Sequence, residues 1–104
     1  MQVLESFSLK GKVAVVTGGA GLYGRQIVAA LAEAGARTFI AARDLAKLEV
    51  VAAEERARGY DVTALQLDLS SDASIEALHR EVIARAGRCD VLVNNAVTRS
   101  ALDG

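Results

Sequence analysis

The sequence predicts an α/β domain built on a doubly wound parallel sheet, with elements in the order βαβαβαβ. Three observations lead there. Short β-branched apolar runs alternate with longer amphipathic stretches along the chain. The intervals between runs are too long for hairpins and long enough for helical crossovers, so neighbouring strands must be parallel. A cluster of glycines directly follows the first run and opens the first amphipathic stretch.

Val13 to Val16 is apolar throughout and flanked by Lys12 and Thr17, as a strand buried on both faces requires. Leu22 to Ala34 then carries Gly24, Ile27, Val28 and Leu31 at helical spacing, and Gly35 stands where a left-handed cap ends a helix. Thr38 to Ala42 reads as the second strand. Asp44 is placed to cap a second helix, which shows Leu45, Leu48 and Ala52 on one stripe and stops at Gly59. Val62 to Leu67 makes the third strand. Ser71 or Asp72 caps a third helix with Ile75, Leu78, Val82 and Ala86 on its apolar side, while Glu76/Arg80 and Glu81/Arg85 have the spacing of surface ion pairs.

Val91 to Val93 is the fourth strand, with the character of an interior strand, and Cys89 enters it as a small buried apolar residue. Thr98 to Gly104 is too short and too polar to pair with the far edge, so the sheet is expected to be truncated after strand four. An open apolar edge invites association, and a homo-oligomer is expected.

Of the 104 residues, 52% are hydrophobic and 24% charged, which fits one domain over residues 1–104 and leaves no room for a second. A chain this short buries roughly two-thirds of its unfolded surface, so little stability is held in reserve. The 12 basic and 13 acidic residues are interspersed, which argues against nucleic acid or an anionic membrane as partner. No apolar run approaches the ~18 residues needed to span a bilayer. No secretory signal is evident and the single cysteine cannot form an internal disulfide, so a cytoplasmic setting is expected. His79 has no neighbours with which to build a metal site and is expected on a helix surface.

In sheets of this class ligands bind beyond the carboxyl ends of the strands, here after Val16, Ala42, Leu67 and Val93. Thr17-Gly18-Gly19-Ala20-Gly21-Leu22-Tyr23-Gly24 falls at the first of these positions. Glycines there let main-chain amides approach a pyrophosphate, which also gains from the positive end of the helix dipole. Gly24 lies one turn inside the helix, where the lack of a side chain allows close packing on the sheet. The candidate phosphate-binding residues are Gly18, Ala20, Gly21, Leu22, Tyr23 and Gly24; Tyr23 either lines the pyrophosphate or packs on the helix.

Thr17 to Gly24, with the lead-in Leu9-Lys10-Gly11-Lys12, resembles the opening of a short-chain dehydrogenase/reductase, a family with a Rossmann-like fold. Asp68-Leu69 resembles the family's adenine-contacting pair, and Asn94-Asn95-Ala96 resembles its Asn-Asn-Ala-Gly motif, which adds Asp68, Leu69, Asn95 and Ala96 to the cofactor-binding candidates. The match runs from Leu9 to about Ala96. Two positions depart from it. Leu22 stands where the commonest pattern, Thr-Gly-x-x-x-Gly-x-Gly, has its second glycine, so the chain satisfies Thr-Gly-x-x-Gly-x-x-Gly, the spacing of the extended, epimerase-like branch. Val97 replaces the last glycine of the Asn-Asn-Ala-Gly motif.

The resemblance implies an NAD(P)-dependent oxidoreductase, in which hydride passes between nicotinamide and substrate while a tyrosine activated by a lysine, in Tyr-x-x-x-Lys, transfers the proton. The two tyrosines of this chain, Tyr23 and Tyr60, are followed four residues on by Ile27 and Ala64, so no catalytic residue is assigned and the chain supplies the dinucleotide-binding half. Two other readings stand beside this one: a non-catalytic dinucleotide-binding module, and a fragment of an extended-branch epimerase or dehydratase.

The end of strand two selects the cofactor, because a carboxylate there binds the ribose 2′-OH and repels a 2′-phosphate, which an arginine attracts. The residues are Ala42-Arg43-Asp44. Counting about 20 residues from the last glycine reaches Asp44 and favours NAD. The family's register instead places the discriminating position at Ala42 with Arg43 next, which favours NADP. NADP is therefore expected, bound through Arg43, with Asp44 assigned to helix capping.

Overall fold

In the computed structural model, residues 8–18, 22–67 and 72–94 are described. Among them, four strands, β1 (Val13–Thr17), β2 (Arg37–Ala42), β3 (Val62–Gln66) and β4 (Val91–Asn94), alternate with three helices, α1 (Leu22–Glu33), α2 (Leu45–Ala57) and α3 (Asp72–Ala86). The strands form one sheet in the order β3-β2-β1-β4, and every neighbouring pair is parallel. This is the expected doubly wound architecture. Element ends differ from the sequence reading by single residues: β2 begins at Arg37, β3 ends at Gln66, and β4 extends to Asn94.

The alternation of side chains along the strands divides the core between the two faces of the sheet. Val16, Ile40 and Val62 pack with Val28 and Ala32 of α1 and with Leu48, Val51 and Ala52 of α2. Val13, Val15 and Phe39 project the other way, onto Val82 of α3, with Leu65, Leu78 and Ala86 around them. With helices on both faces, β1 is buried along its whole length, which explains its unbroken apolar sequence. On α2 the buried stripe is Leu48, Val51, Ala52 and Glu55, rotated away from the expected Leu45, which is half-buried.

Local signals end the helices where the sequence places them. Gly35 has φ +104, and its amide and that of Ala36 return to the Ala32 and Leu31 carbonyls at 3.0 and 3.1 Å, closing α1 with a Schellman turn. Asp44 caps α2, its side chain accepting from the Lys47 amide at 3.2 Å. Ser71, expected as a cap for α3, lies outside the described residues. On that helix Glu81 and Arg85 pair at 2.6 Å.

β4 is held to β1 at its start as well as along its length. The Val13 amide donates to Asp90 Oδ2 at 2.9 Å, and the Asp90 amide donates to the Val13 carbonyl at 2.9 Å. Arg88 grips the same carboxylate through Nε at 3.0 Å and Nη2 at 2.6 Å. The Arg88 hydrogen bond first, and the Val13 amide second, hold the Asp90 carboxyl below the usual carboxylate range; Asp90 in turn raises Arg88.

The expected burial around β4 is corrected in two places. Cys89 is exposed, not a buried apolar residue; partial desolvation and the Asp90 charge push its thiol up. Leu92, opposite Val15 on the α3 face, is 67% exposed rather than interior. For Leu92 the cause is visible: among the described residues, no strand pairs with β4 beyond β1, and α3 packs on Val13, Val15 and Phe39 instead.

Candidate functional site

All four strands run in one direction, so their carboxyl ends form a single rim, and the order β3-β2-β1-β4 puts the topological reversal between β1 and β4. In open parallel sheets ligands bind at such a reversal, because the connections leave it to opposite faces and open a crevice. Thr17 closes β1 at this point. It is buried, and its Oγ1 donates to the Val93 carbonyl of β4 at 3.4 Å.

Gly18 follows with φ +72, a left-handed conformation that a residue with a Cβ enters at a cost. Its amide donates to the Ala41 carbonyl at 2.7 Å, so the turn out of β1 is tied to the end of β2. α1 then starts at Leu22 with no acidic residue in its first turn, which leaves the positive end of its dipole suited to an anion. Gly24 is buried within α1, in keeping with close packing on the sheet. Beside it, Arg25 Nη1 reaches Glu54 Oε1 at 3.0 Å, joining α1 to α2 by a half-exposed pair of small energetic value.

Beyond β2 the chain turns through exposed Arg43 and Asp44 into α2. The Asp44 carboxylate is committed to the Lys47 amide, the capping role assigned to it from the sequence. Arg43 is the cation of this turn. Its carbonyl accepts from Gln66 Nε2 at 3.2 Å, a contact that sequence reasoning missed. A glutamine closing a strand carries no pattern that names its partner; only the pairing of Ala42 with Gln66 brings the two together.

Of the sequence-predicted site residues, Gly18, Gly24 and Arg43 are placed at or near this rim, and Leu22 and Tyr23 lie in the first turn of α1. Ala20, Gly21, Asp68, Leu69, Asn95 and Ala96 lie outside the described residues. His79 is exposed on α3, and among the described residues no His, Cys, Asp and Glu group together as metal ligands. Among them, too, no helix is long and apolar enough to cross a membrane.

The residues present suit a dinucleotide on three counts: a left-handed glycine leaving the central strand, a helix N-terminus free of acids, and a cation next to the end of β2. Comparison with known proteins agrees with this geometry. The short chain dehydrogenase family matches residues 12–102. A rhamnolipid-biosynthesis 3-oxoacyl-[acyl-carrier-protein] reductase of Pseudomonas aeruginosa is 45% identical over 92 residues, covering 88% of this chain and 36% of the relative. The short chain dehydrogenase/reductase dpchG of Colletotrichum higginsianum is 38% identical over 99 residues, covering 95% of this chain and 37% of its own. Among solved structures, a metagenomic short-chain oxidoreductase in complex with NADP superposes with a TM-score of 0.82 at 44% identity, over 86% of this chain and 40% of that one. The chain thus spans a little over a third of the length of these curated relatives. With the family's pattern covering nearly all of it, and the sheet order and rim geometry in agreement, this chain belongs to the short-chain dehydrogenase/reductase family.

Proposed function

We propose that residues 1–104 act as one dinucleotide-binding domain of an NAD(P)-dependent oxidoreductase, and that NADP is the preferred cofactor. The observation that carries the reading is the convergence of Gly18, the start of α1 and Arg43 on one rim of the parallel sheet. The glycine turn and the α1 N-terminus would hold the pyrophosphate, with Ala20, Gly21, Leu22, Tyr23 and Gly24 around it. Asp68, Leu69, Asn95 and Ala96 would frame the adenine side. The nicotinamide supplies or accepts a hydride when bound; this stretch of sequence contains no Tyr-x-x-x-Lys to move the accompanying proton.

The choice of NADP rests on the chemistry of the two charged side chains that follow β2. Asp44 serves as a helix cap, its Oδ1 accepting from the Lys47 amide, whereas Arg43 carries a fork suited to a 2′-phosphate. The NADP complex of the metagenomic relative supports the same choice. Fluorescence titration with NADPH and NADH tests it. The wild-type chain is expected to bind NADPH more tightly, and Arg43→Ala to lose about tenfold or more in NADPH affinity, the scale of a charge-assisted hydrogen bond, with NADH unaffected. Equal affinities in the wild type, or tighter NADH, would defeat the assignment.

A homo-oligomer is part of the same reading. Leu92 is 67% exposed on β4, which among the described residues pairs with β1 alone, and a second copy would cover it. Elution in size-exclusion chromatography should shift with protein concentration, and Leu92→Lys should remove that shift. A wild-type chain that stays monomeric at high concentration refutes this part.

A further inference from the structure

The segment that leaves β2 is held by an orderly set of hydrogen bonds. The Ala41 carbonyl accepts from the Gly18 amide at 2.7 Å, the Ala42 carbonyl from the Leu67 amide at 2.9 Å, and the Asp44 carbonyl from the Leu48 amide at 3.3 Å. The Arg43 carbonyl between them accepts from Gln66 Nε2 at 3.2 Å. Three of these donors are backbone amides, which any residue but proline supplies. The donor to Arg43 is a side chain, so it is the one that the amino-acid identity decides.

We propose that Gln66 is a positioning residue for cofactor selection: by holding the Arg43 carbonyl it fixes the Arg43–Asp44 peptide plane, and with it the direction in which the Arg43 side chain leaves the rim. The inference rests on the reading of Arg43 as the 2′-phosphate ligand. A hydrogen bond to the carbonyl restrains the backbone dihedrals that set where the Arg43 side chain starts, and backbone freedom removed beforehand is freedom that binding need not freeze. Gln66 ends β3 opposite Ala42, so it reaches Arg43 from the rigid sheet rather than from a loop. NADH has no 2′-phosphate and makes no use of the arginine, so its binding is indifferent to this restraint.

The test measures the dissociation constants of NADPH and NADH for the intact chain and its variants, with thermal unfolding of each. Gln66→Met keeps the length of the side chain and removes the donor. It is expected to weaken NADPH about three- to fivefold, the worth of one neutral hydrogen bond, and to leave NADH unchanged. Gln66→Glu keeps the shape but sets an acceptor against a carbonyl and a negative charge near the phosphate, so its loss is larger. In an Arg43→Ala background Gln66→Met should have no further effect on either cofactor.

An unchanged NADPH:NADH ratio in Gln66→Met overturns the proposal, as does an equal weakening of both cofactors, which marks a purely structural role. If Gln66→Met folds poorly, the ratio in Gln66→Leu, which also removes the donor and adds no charge, decides in the same way. Failure of the underlying reading has its own signature: no NADPH preference in the wild type, and Arg43→Ala without effect on the ratio.

Discussion

At Gly18 the backbone does what no other residue does without strain, turning left-handed at φ +72 while its amide bonds across to β2. A Cβ at such a position costs about 1–2 kcal/mol. Gly18→Ala is therefore expected to lower unfolding free energy by about 1 kcal/mol and, on the proposed reading of the glycine turn as the pyrophosphate site, also to weaken NADPH. Chemical denaturation and NADPH titration check the two effects separately; wild-type values in both would show that the left-handed turn is not required. The importance of this glycine was legible in the sequence, because a glycine directly after a β-branched run marks the point where the chain leaves the sheet through a turn that a Cβ resists. Gln66 was not legible, because its role depends on which residue of a neighbouring strand it faces. Cys89 was misread because a cysteine beside an apolar run is usually buried, whereas this one precedes β4 and is exposed.

The helices show which element-scale features a linear pattern carries. The Gly35 and Gly59 ends, the Asp44 cap and the Val82 stripe of α3 follow from short-range chemistry and are where the sequence puts them. On α2 the sequence finds Leu48 and Ala52 but not Val51 and Glu55, which are buried beside them while Leu45 is half-buried, because how far the buried stripe extends around a helix is set by what packs on it. Asp44 is the element-scale question with a functional edge, since counting residues makes it a ribose ligand and the structure makes it a cap. Asp44→Ala should cost about 1 kcal/mol of stability through the loss of the cap, with the NADPH:NADH ratio unchanged. A selective loss of NADH affinity would return Asp44 to the ribose and argue for NAD.

For the whole molecule, alternation announced parallel strands, yet the order β3-β2-β1-β4 depends on α3 crossing to the opposite face from α1 and α2, which no local pattern encodes. Among the described residues β4 pairs with β1 alone, and the Asp90 clip fastens the two strands at the end away from the rim. The sign of its pH dependence follows from the depressed carboxyl. A carboxylate whose folded pKa lies below its unfolded value of about 3.9 contributes stability that is complete above that value and is lost as pH falls through the folded pKa. Asp90→Asn keeps an acceptor for the Val13 amide but gives up the charge gripped by Arg88. The wild-type chain should therefore be more stable than Asp90→Asn at neutral pH, with the gap shrinking once the pH drops below about 4. Denaturation midpoints of both proteins, measured from neutral pH into the acid range, test this directly. A gap that stays constant down to the most acid pH would mean that the clip acts through its hydrogen-bond geometry alone, and that the charge of Asp90 does nothing to hold β4 on the sheet.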